Sequence, residues 1–346
     1  MSEDQVRLWK ELMRSRAPSR RFEDFGLVNT KAMFENASKG VYAIPAYNFY
    51  NLEQLRGIVH GCVETDSPAI LQVLRRYLDD RNLTCLIFMV KGVVKSASQK
   101  GGDLSLALNL DHGNNLEICK KCVDAGFSSV MIDGSALPYE RNVELTKSVV
   151  AYAHQYEVCV EGELGGIAGM EERATPEHMF TKPREVESFI KETGVDSLAI
   201  SIGTVHGPFK SKLENRPVQL RFDILDEVKD RVGDFPLVLH GSSNVPTEYV
   251  DIVNQYGGRI EGAKGVSDDQ LQTAVRKGIR KANFDTDIKL IFTATARERL
   301  AQHPNEFDPK SHLDIAEARL VEYVKNRNRI LLATGKASTA PDLVRS

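Results

Sequence analysis

The feature that most constrains the fold is a repeated alternation of short apolar segments with amphipathic ones. Eight β-rich runs bounded by turn-forming residues occur at 41–49, 68–74, 104–110, 128–134, 158–164, 197–205, 236–241 and 281–287. Between several of them, apolar residues recur at the i, i+3, i+4 and i+7 spacing of a helix, as in NLEQLRGIVHGCVET and PREVESFIKETG. Strands that are apolar on both faces are typical of a parallel sheet covered by helices. The alternation therefore predicts an α/β fold.

Eight strand–helix repeats are the number that closes a (β/α)8 TIM barrel, a fold of about 250 residues. An open doubly wound sheet usually carries a glycine-rich nucleotide loop after its first strand. Here the first strand is followed by YNFYNLEQ, which contains no glycine. We therefore predict a single barrel domain over 1–346, with an N-terminal extension at 1–27 and a helical C-terminal tail from about 305 to 346.

Composition excludes several classes of function. The formal net charge of -3 provides no basic surface for nucleic acid or an anionic membrane. No uninterrupted apolar stretch reaches the roughly 20 residues that a membrane span requires. The beginning of the chain has no apolar signal segment, and the five cysteines are scattered, as is typical of reduced thiols. We expect a cytoplasmic protein whose partner is a small molecule.

Chemically active side chains follow the predicted strands, where a barrel builds its active site. Strand three ends in Asp111-His112, strand six in His206 and strand seven in His240, and each histidine precedes a glycine. A single histidine at such a position is more often a cap or a loop residue. Three imidazoles that converge on one barrel mouth are the pattern of a catalytic zinc site with an open coordination position.

The loops after strands six to eight predict an anion site beside this metal. GSS at 241–243 and NFDT at 283–286 present backbone amides and hydroxyls where barrels commonly hold phosphate, and Lys210 adds an ammonium group. A metal there could polarise a carbonyl as a Lewis acid, and a neighbouring carboxylate could move a proton. We predict that His112 holds the metal and that Asp111 handles the proton.

These motifs resemble those of the class II, metal-dependent fructose-bisphosphate aldolases, a family that includes other ketose-bisphosphate aldolases. The resemblance extends from about residue 28 to residue 336 and rests on AYNFYNLEQ, SPAILQ, LDHG, MIDGS, EGELG, GVDSLAISIGTVHGPFK, LHGSS and NFDTD, in the family's order. It implies a lyase of glycolysis and gluconeogenesis that reversibly cleaves fructose 1,6-bisphosphate to dihydroxyacetone phosphate and glyceraldehyde 3-phosphate. It also implies a homodimer or homotetramer.

The resemblance further implies roles for individual residues. The zinc ligands would be three histidines, His112, His206 and His240. Two acids would form an alternative position for the metal, Asp133 and Glu163, and Co²⁺ or Fe²⁺ could replace zinc. Asp111 would exchange the proton of the substrate C4 hydroxyl. Glu171, or its neighbour Glu172, would exchange the proton on the dihydroxyacetone phosphate carbon.

Substrate binding is implied for a larger set of positions: Asn48, Ser67, Gly207, Lys210, Gly241, Ser243, Asn283, Asp285 and Thr286. Two of them would also lie near a monovalent cation, Na⁺ or K⁺: Gly207 and Ser243.

The chain departs from the family pattern where the distal half of the substrate would bind. VLRRYLDD follows SPAILQ, where the family usually has a small loop containing serine or glycine. Lys289 stands where bisphosphate-specific members place an arginine, so the charge is kept but the bidentate fork is lost. Arg75 and Arg76 are alternative cations for the distal phosphate. The nearest alternative function is therefore the same mechanism acting on tagatose 1,6-bisphosphate or another ketose phosphate.

More distant alternatives are a metal-dependent hydrolase, a non-catalytic binding protein and a Schiff-base aldolase. The last requires a desolvated lysine inside the barrel. Lys281 is expected at the beginning of strand eight, at the wrong end of the barrel for that role.

Overall fold

A computed structural model describes residues 21–99, 104–166, 180–204 and 219–337. Eight parallel strands form one closed barrel in sequence order, and the last strand pairs with the first. The strands are β1 Ile44–Asn48, β2 Ala69–Leu74, β3 Leu106–Gly113, β4 Ser129–Ile132, β5 Cys159–Leu164, β6 Ser197–Ile200, β7 Leu237–Leu239 and β8 Ile279–Phe284. All eight are buried on both faces, so the predicted (β/α)8 barrel and its apolar strands are confirmed.

Helices surround this barrel. They are α1 Thr30–Gly40, α2 Leu52–Glu64, α3 Asp80–Ser98, α4 Leu116–Ala125, α5 Tyr139–Ala153, α6 Pro183–Thr193, α7 Phe222–Val232, α8 Thr247–Gln255, α9 Asp268–Arg276, α10 Thr286–Gln302 and α11 Pro309–Ile330. Local sequence explains several of their ends. Asn51 and Asn115 cap α2 and α4 by accepting backbone N–H bonds, and Gly126 ends α4 in the left-handed conformation.

Two of the differences from the predicted strand bounds affect residues near the mouth of the barrel. β8 begins at Ile279 and ends at Phe284, so Asp285 and Thr286 lie at the beginning of α10 rather than in a strand. β6 ends at Ile200, because its pairing with β5 stops there, although the apolar pattern predicted a strand as far as residue 205. The following Ile202 is fully buried in a loop, which explains why the apolar pattern overestimated the strand.

The amino-terminal end of the barrel is closed by segments outside the eight repeats. The N–H of Val28 donates to the carbonyl of Leu106, and the N–H of Gly335 donates to the carbonyl of Thr65. α11 packs closely along α2, since a Cβ at Gly61 would lie only 2.6 Å from Val324 Cγ1. These contacts leave the carboxyl ends of the strands as the open mouth. Within the described ranges, no helix has the length and apolarity needed to cross a membrane.

Candidate active site

Two of the predicted metal ligands meet at the carboxyl ends of β3 and β7. Nε2 of His112 lies 3.0 Å from Nδ1 of His240, and both side chains are buried. His112 has a φ of 52°, a left-handed conformation that is unusual for histidine and is often found at functional sites. At the next residue, Gly113, a Cβ would lie 2.6 Å from the carbonyl oxygen of Met131. Glycine therefore lets β3 pass close to β4 immediately after the histidine.

Each of these imidazoles has a carboxylate partner at its other nitrogen. Asp133 Oδ2 lies 2.9 Å from Nδ1 of His112, and Glu161 Oε1 lies 2.8 Å from Nε2 of His240. Such partners fix the tautomer and orientation of a metal-binding histidine. The remaining nitrogens, Nε2 of His112 and Nδ1 of His240, are the two that face each other.

A buried ion pair lies beneath the histidines. Lys281 Nζ is 2.6 Å from Glu161 Oε2, across the barrel interior, and each side chain is almost inaccessible to solvent. Burial alone would raise the pKa of Glu161. The charges of Lys281 and His240 and the hydrogen bonds with them have a larger effect in the opposite direction, and they lower this pKa to about 2. The prediction that Lys281 begins strand eight was wrong, because the strand starts two residues earlier and places this lysine inside the barrel. Sequence reasoning gave Glu161 no role, although it is the first residue of the EGELG motif.

Asp111 is held by a chain of buried amides. Asn48 Nδ2 donates to Asp111 Oδ2 at 2.8 Å, Gln72 Nε2 donates to Asn48 Oδ1 at 3.3 Å, and Asn109 Nδ2 donates to Gln72 Oε1 at 3.0 Å. Asp111 Oδ1 is buried and has no hydrogen-bond partner among the described residues. One oxygen is thus anchored while the other is available to a ligand. Sequence reasoning missed Gln72 and Asn109, although each is a single amide within an apolar run, AILQVL and LALNL, which is a detectable signal.

The described residues contain two groups of ligand atoms close enough to hold a metal ion. Asp111, His112 and His240 form one group and His112, Asp133 and Glu163 the other, with the ligand atoms of each group within 4.8 Å of one another. Within the described ranges, Glu163 Oε2 is also buried without a hydrogen bond, 3.6 Å from Nδ1 of His112.

The charges around His112 favour a cation. Burial lowers the pKa of His112, but the carboxylates of Asp111, Asp133 and Glu163 outweigh this effect and raise the pKa to about 10. Burial, reinforced by Asp133, raises the pKa of Glu163 well above its ordinary value. An excess of carboxylates around imidazole nitrogens, with orphaned oxygens, fits a divalent transition metal.

The loops after β7 and β8 lie side by side at the mouth. The N–H of Ser242 donates to the carbonyl of Asn283 at 3.2 Å. Gly241 has a φ of 63°, and Ser243 is buried beside it. Thr286 begins α10, whose amino-terminal turn carries the positive end of the helix dipole. This combination of loop amides and a helix N-terminus is suited to binding an anion.

Two of the three predicted distal cations, Lys289 and Arg76, belong to one charged and aromatic cluster. Lys289 Nζ lies 2.5 Å from Asp285 Oδ2 and 4.7 Å from the centre of the Tyr50 ring, whose hydroxyl donates to Oδ1 of the same carboxylate. The Tyr77 ring packs 4.6 Å from that of Tyr50, and the Arg76 guanidinium lies 5.2 Å from the Tyr77 ring. Lys289 is therefore already paired with a carboxylate. Arg75 and Arg76 are exposed on the short 3-10 turn that follows β2.

Ser67 does not join the site. It precedes β2 at the amino-terminal end of the barrel, is fully buried, and donates from its hydroxyl to Thr65. The assignment of Ser67 to substrate binding was wrong, because the barrel interior separates it from the mouth. Five other residues of the sequence prediction lie outside the described residues: Glu171, Glu172, His206, Gly207 and Lys210.

Comparisons with known proteins agree with this architecture. The family model described as fructose-bisphosphate aldolase class-II matches residues 28–336. A fructose-bisphosphate aldolase from Treponema pallidum is 47% identical over 329 residues, which cover 91% of this chain and 99% of the relative. One from Giardia intestinalis is 38% identical over 311 residues, 90% of this chain and 94% of the relative. The crystal structure of the YdjI aldolase from Escherichia coli K12 superposes with a TM-score of 0.69 at 27% identity, covering 90% of this chain and 100% of that one.

Proposed function

The chain belongs to the class II fructose-bisphosphate aldolase family, and from this premise we propose that it cleaves fructose 1,6-bisphosphate reversibly to dihydroxyacetone phosphate and glyceraldehyde 3-phosphate. The observation that carries the proposal is the pair of facing imidazoles, His112 and His240, beside Asp111. We further propose a cytoplasmic homodimer or homotetramer, on the family resemblance alone.

The metal ligands in this proposal are His112, His240 and His206, with Asp133 and Glu163 as an alternative position. Zinc is the proposed ion, because two imidazoles and carboxylates in a barrel mouth suit it. When bound, the ion supplies Lewis-acid polarisation of the substrate carbonyl. Asp133 and Glu161 orient the two described imidazoles through their other nitrogens.

Asp111 is the proposed acid–base residue. In cleavage, Oδ1 of Asp111 accepts the proton of the C4 hydroxyl while the C3–C4 bond breaks and the C4 oxygen becomes the aldehyde carbonyl. The electron pair stays on the dihydroxyacetone phosphate carbon, which then gains a proton from Glu171 or Glu172. Condensation reverses these steps. Asn48 supports this role because it anchors Oδ2 and leaves Oδ1 for the substrate.

The phosphate of dihydroxyacetone phosphate is proposed to bind the loops after β6, β7 and β8. Its partners are Gly207, Lys210, Gly241, Ser243, Asn283, Asp285 and Thr286, and a monovalent cation is proposed near Gly207 and Ser243. The distal phosphate is assigned to Lys289 with Arg75 or Arg76. The alternative substrate is tagatose 1,6-bisphosphate, which differs from the fructose compound only in its configuration at C4, or another ketose phosphate.

Replacement of the acid–base residue tests the proposal. Asp111→Asn keeps the size of the side chain but removes the basic oxygen, so cleavage should fall by about 10²–10⁴-fold. Bound zinc should stay at about one ion per chain, because histidines supply the ligands. Cleavage is measured by coupled detection of triose phosphates with the full-length, zinc-loaded protein, using the fructose and tagatose bisphosphates in parallel.

The matched control is Asp226→Asn, a surface carboxylate that pairs with Lys277. It should keep both activity and metal. An Asp111→Asn protein with wild-type turnover would contradict the acid–base role. Release of inorganic phosphate without triose phosphate by the wild-type protein would favour a hydrolase instead.

A further inference from the structure

α11, the helix after the last barrel repeat, contacts two elements of the barrel through side chains one turn apart. The Tyr323 hydroxyl donates to Asp287, in the first turn of α10. The Arg327 guanidinium pairs with both carboxylate oxygens of Asp268, in the first turn of α9, at 2.5 and 3.1 Å. Tyr323 and Arg327 are both buried. α11 therefore holds the amino-terminal turns of α9 and α10 at the same time.

The Tyr323 contact continues into the loop after β7. Asp287 is fully buried, and its two oxygens accept the backbone N–H groups of Asn244 and Val245 at 3.0 and 2.9 Å. Val245 has a φ of 52°, a left-handed conformation that is unfavourable for a β-branched residue. Such a conformation persists only where the surroundings fix it. Asp287 supplies two of the hydrogen bonds that do so.

The Arg327 contact reaches the other side of the same loop. Asp268 follows Ser267, the cap of α9, and the preceding Val266 donates its N–H to the carbonyl of Ser243 at 3.1 Å. Gly265 packs so tightly that a Cβ there would lie 2.2 Å from the same carbonyl oxygen. The loop of residues 241–245 is therefore held between two segments, and α11 is bonded to both.

We propose that Tyr323 and Asp287, with Arg327 on the opposite side, are positioning residues that set the substrate-phosphate affinity of the 241–245 loop. The inference rests on the proposed function, in which Gly241 and Ser243 bind the phosphate of dihydroxyacetone phosphate. Affinity from backbone amides and a hydroxyl depends on their direction, so a small displacement of the loop weakens it. Metal binding is set separately, because the His240 ring is oriented by Glu161 and not by Asp287.

Two substitutions of graded severity test this. Asp287→Asn replaces one acceptor oxygen by an amide that faces donors, and Tyr323→Phe removes only the hydroxyl. Binding of dihydroxyacetone phosphate and of inorganic phosphate to the zinc-loaded full-length chain is measured by calorimetry. We expect Kd to rise about tenfold or more for Asp287→Asn and about threefold for Tyr323→Phe, with zinc content unchanged. In the Asp287→Asn background, Tyr323→Phe should have no further effect on Kd.

Tyr47→Phe is the matched control. Its hydroxyl also bonds α11, donating to Asn328 Oδ1 at 2.8 Å, but that contact does not lead to the loop. It should lower the melting temperature without changing Kd. Unchanged Kd in both test variants, with only a lower melting temperature, would overturn the inference. If Asp287→Asn does not fold, the Kd values of Tyr323→Phe and Arg327→Met are compared with that of Tyr47→Phe. A higher Kd in the first two variants alone supports the inference, and equal Kd values in all three overturn it. Failure of the wild-type protein to bind either ligand would contradict the proposed function itself.

Discussion

A buried ion pair supports the imidazole of His240, and its cation, Lys281, shows how much a single residue contributes. Lys281→Met leaves the Glu161 carboxylate inside the barrel without its cation. Removal of one partner of a buried pair typically costs about 3–5 kcal/mol. We expect a loss of that order in the free energy of unfolding of the metal-free protein, measured with urea at pH 7. Glu161→Gln in the same chain should restore part of it.

Lowering the pH should reduce the difference in the free energy of unfolding between Lys281→Met and the wild-type protein. Because the folded-state pKa of Glu161 is depressed to about 2, the stabilisation is present above the ordinary pKa of a glutamate and is lost as the pH falls toward 2. Lys277→Met, which breaks an exposed pair with Asp226, is the control and should cost less than about 1 kcal/mol. Equal unfolding energies for Lys281→Met and the wild-type protein would show that the buried pair contributes nothing.

At the scale of elements, the ends of strands could be predicted where a charge follows an apolar run. The apolar LALNL segment stops at Asp111 and His112, and β3 ends at Gly113, directly after them. The same reasoning failed at β8, where Lys281 was taken as the polar beginning of a strand. Its partner, Glu161, is on β5, and no local pattern shows a partner across the barrel. The assignment of Ser67 to substrate binding failed for a related reason. The SPAILQ motif begins before β2, so its serine lies at the amino-terminal end of that strand and not at the end that forms the mouth.

An element-scale prediction concerns a side-chain contact between the residue that follows α5 and the residue that precedes β6. His154 Nε2 lies 2.9 Å from Asp196 Oδ2, which also accepts the N–H of Val160 at the start of β5. The bond to Asp196 raises the pKa of His154 despite partial burial. The stabilisation of the folded protein by this pair is therefore complete at a pH below the ordinary histidine pKa. It is lost as the pH rises through the higher pKa that His154 has in the folded state.

His154→Gln should therefore lower the free energy of unfolding at pH 6, by less than about 1 kcal/mol because the pair is partly exposed, and should have almost no effect at pH 9. Urea unfolding at the two pH values measures this. His303→Gln, at an exposed position after α10, is the control. A loss that is equal at both pH values would mean that packing, and not the ion pair, is what His154 contributes.

At the scale of the whole molecule, the eight strand–helix repeats predict a closed barrel. Closure of the barrel brings the carboxyl ends of all eight strands to one mouth. This is why His112 and His240, far apart in sequence, could be assigned to one site before their contact was seen. The contact partners of the side chains behind them could not be predicted, although the buried amides themselves leave a signal in the sequence. The amide chain from Asn109 to Asp111 and the contacts of α11 with Asp287 and Asp268 depend on side-chain directions that sequence spacing does not encode.

We infer that this barrel performs metal-dependent aldol cleavage at the mouth containing Asp111, His112 and His240. The most direct test is the cleavage of fructose 1,6-bisphosphate by the purified full-length chain, before and after EDTA treatment and after zinc is restored. Triose phosphate formation should stop with chelation and return with zinc. Cleavage that survives rigorous removal of metal would contradict a metal-dependent mechanism and would direct attention to Schiff-base chemistry at Lys281.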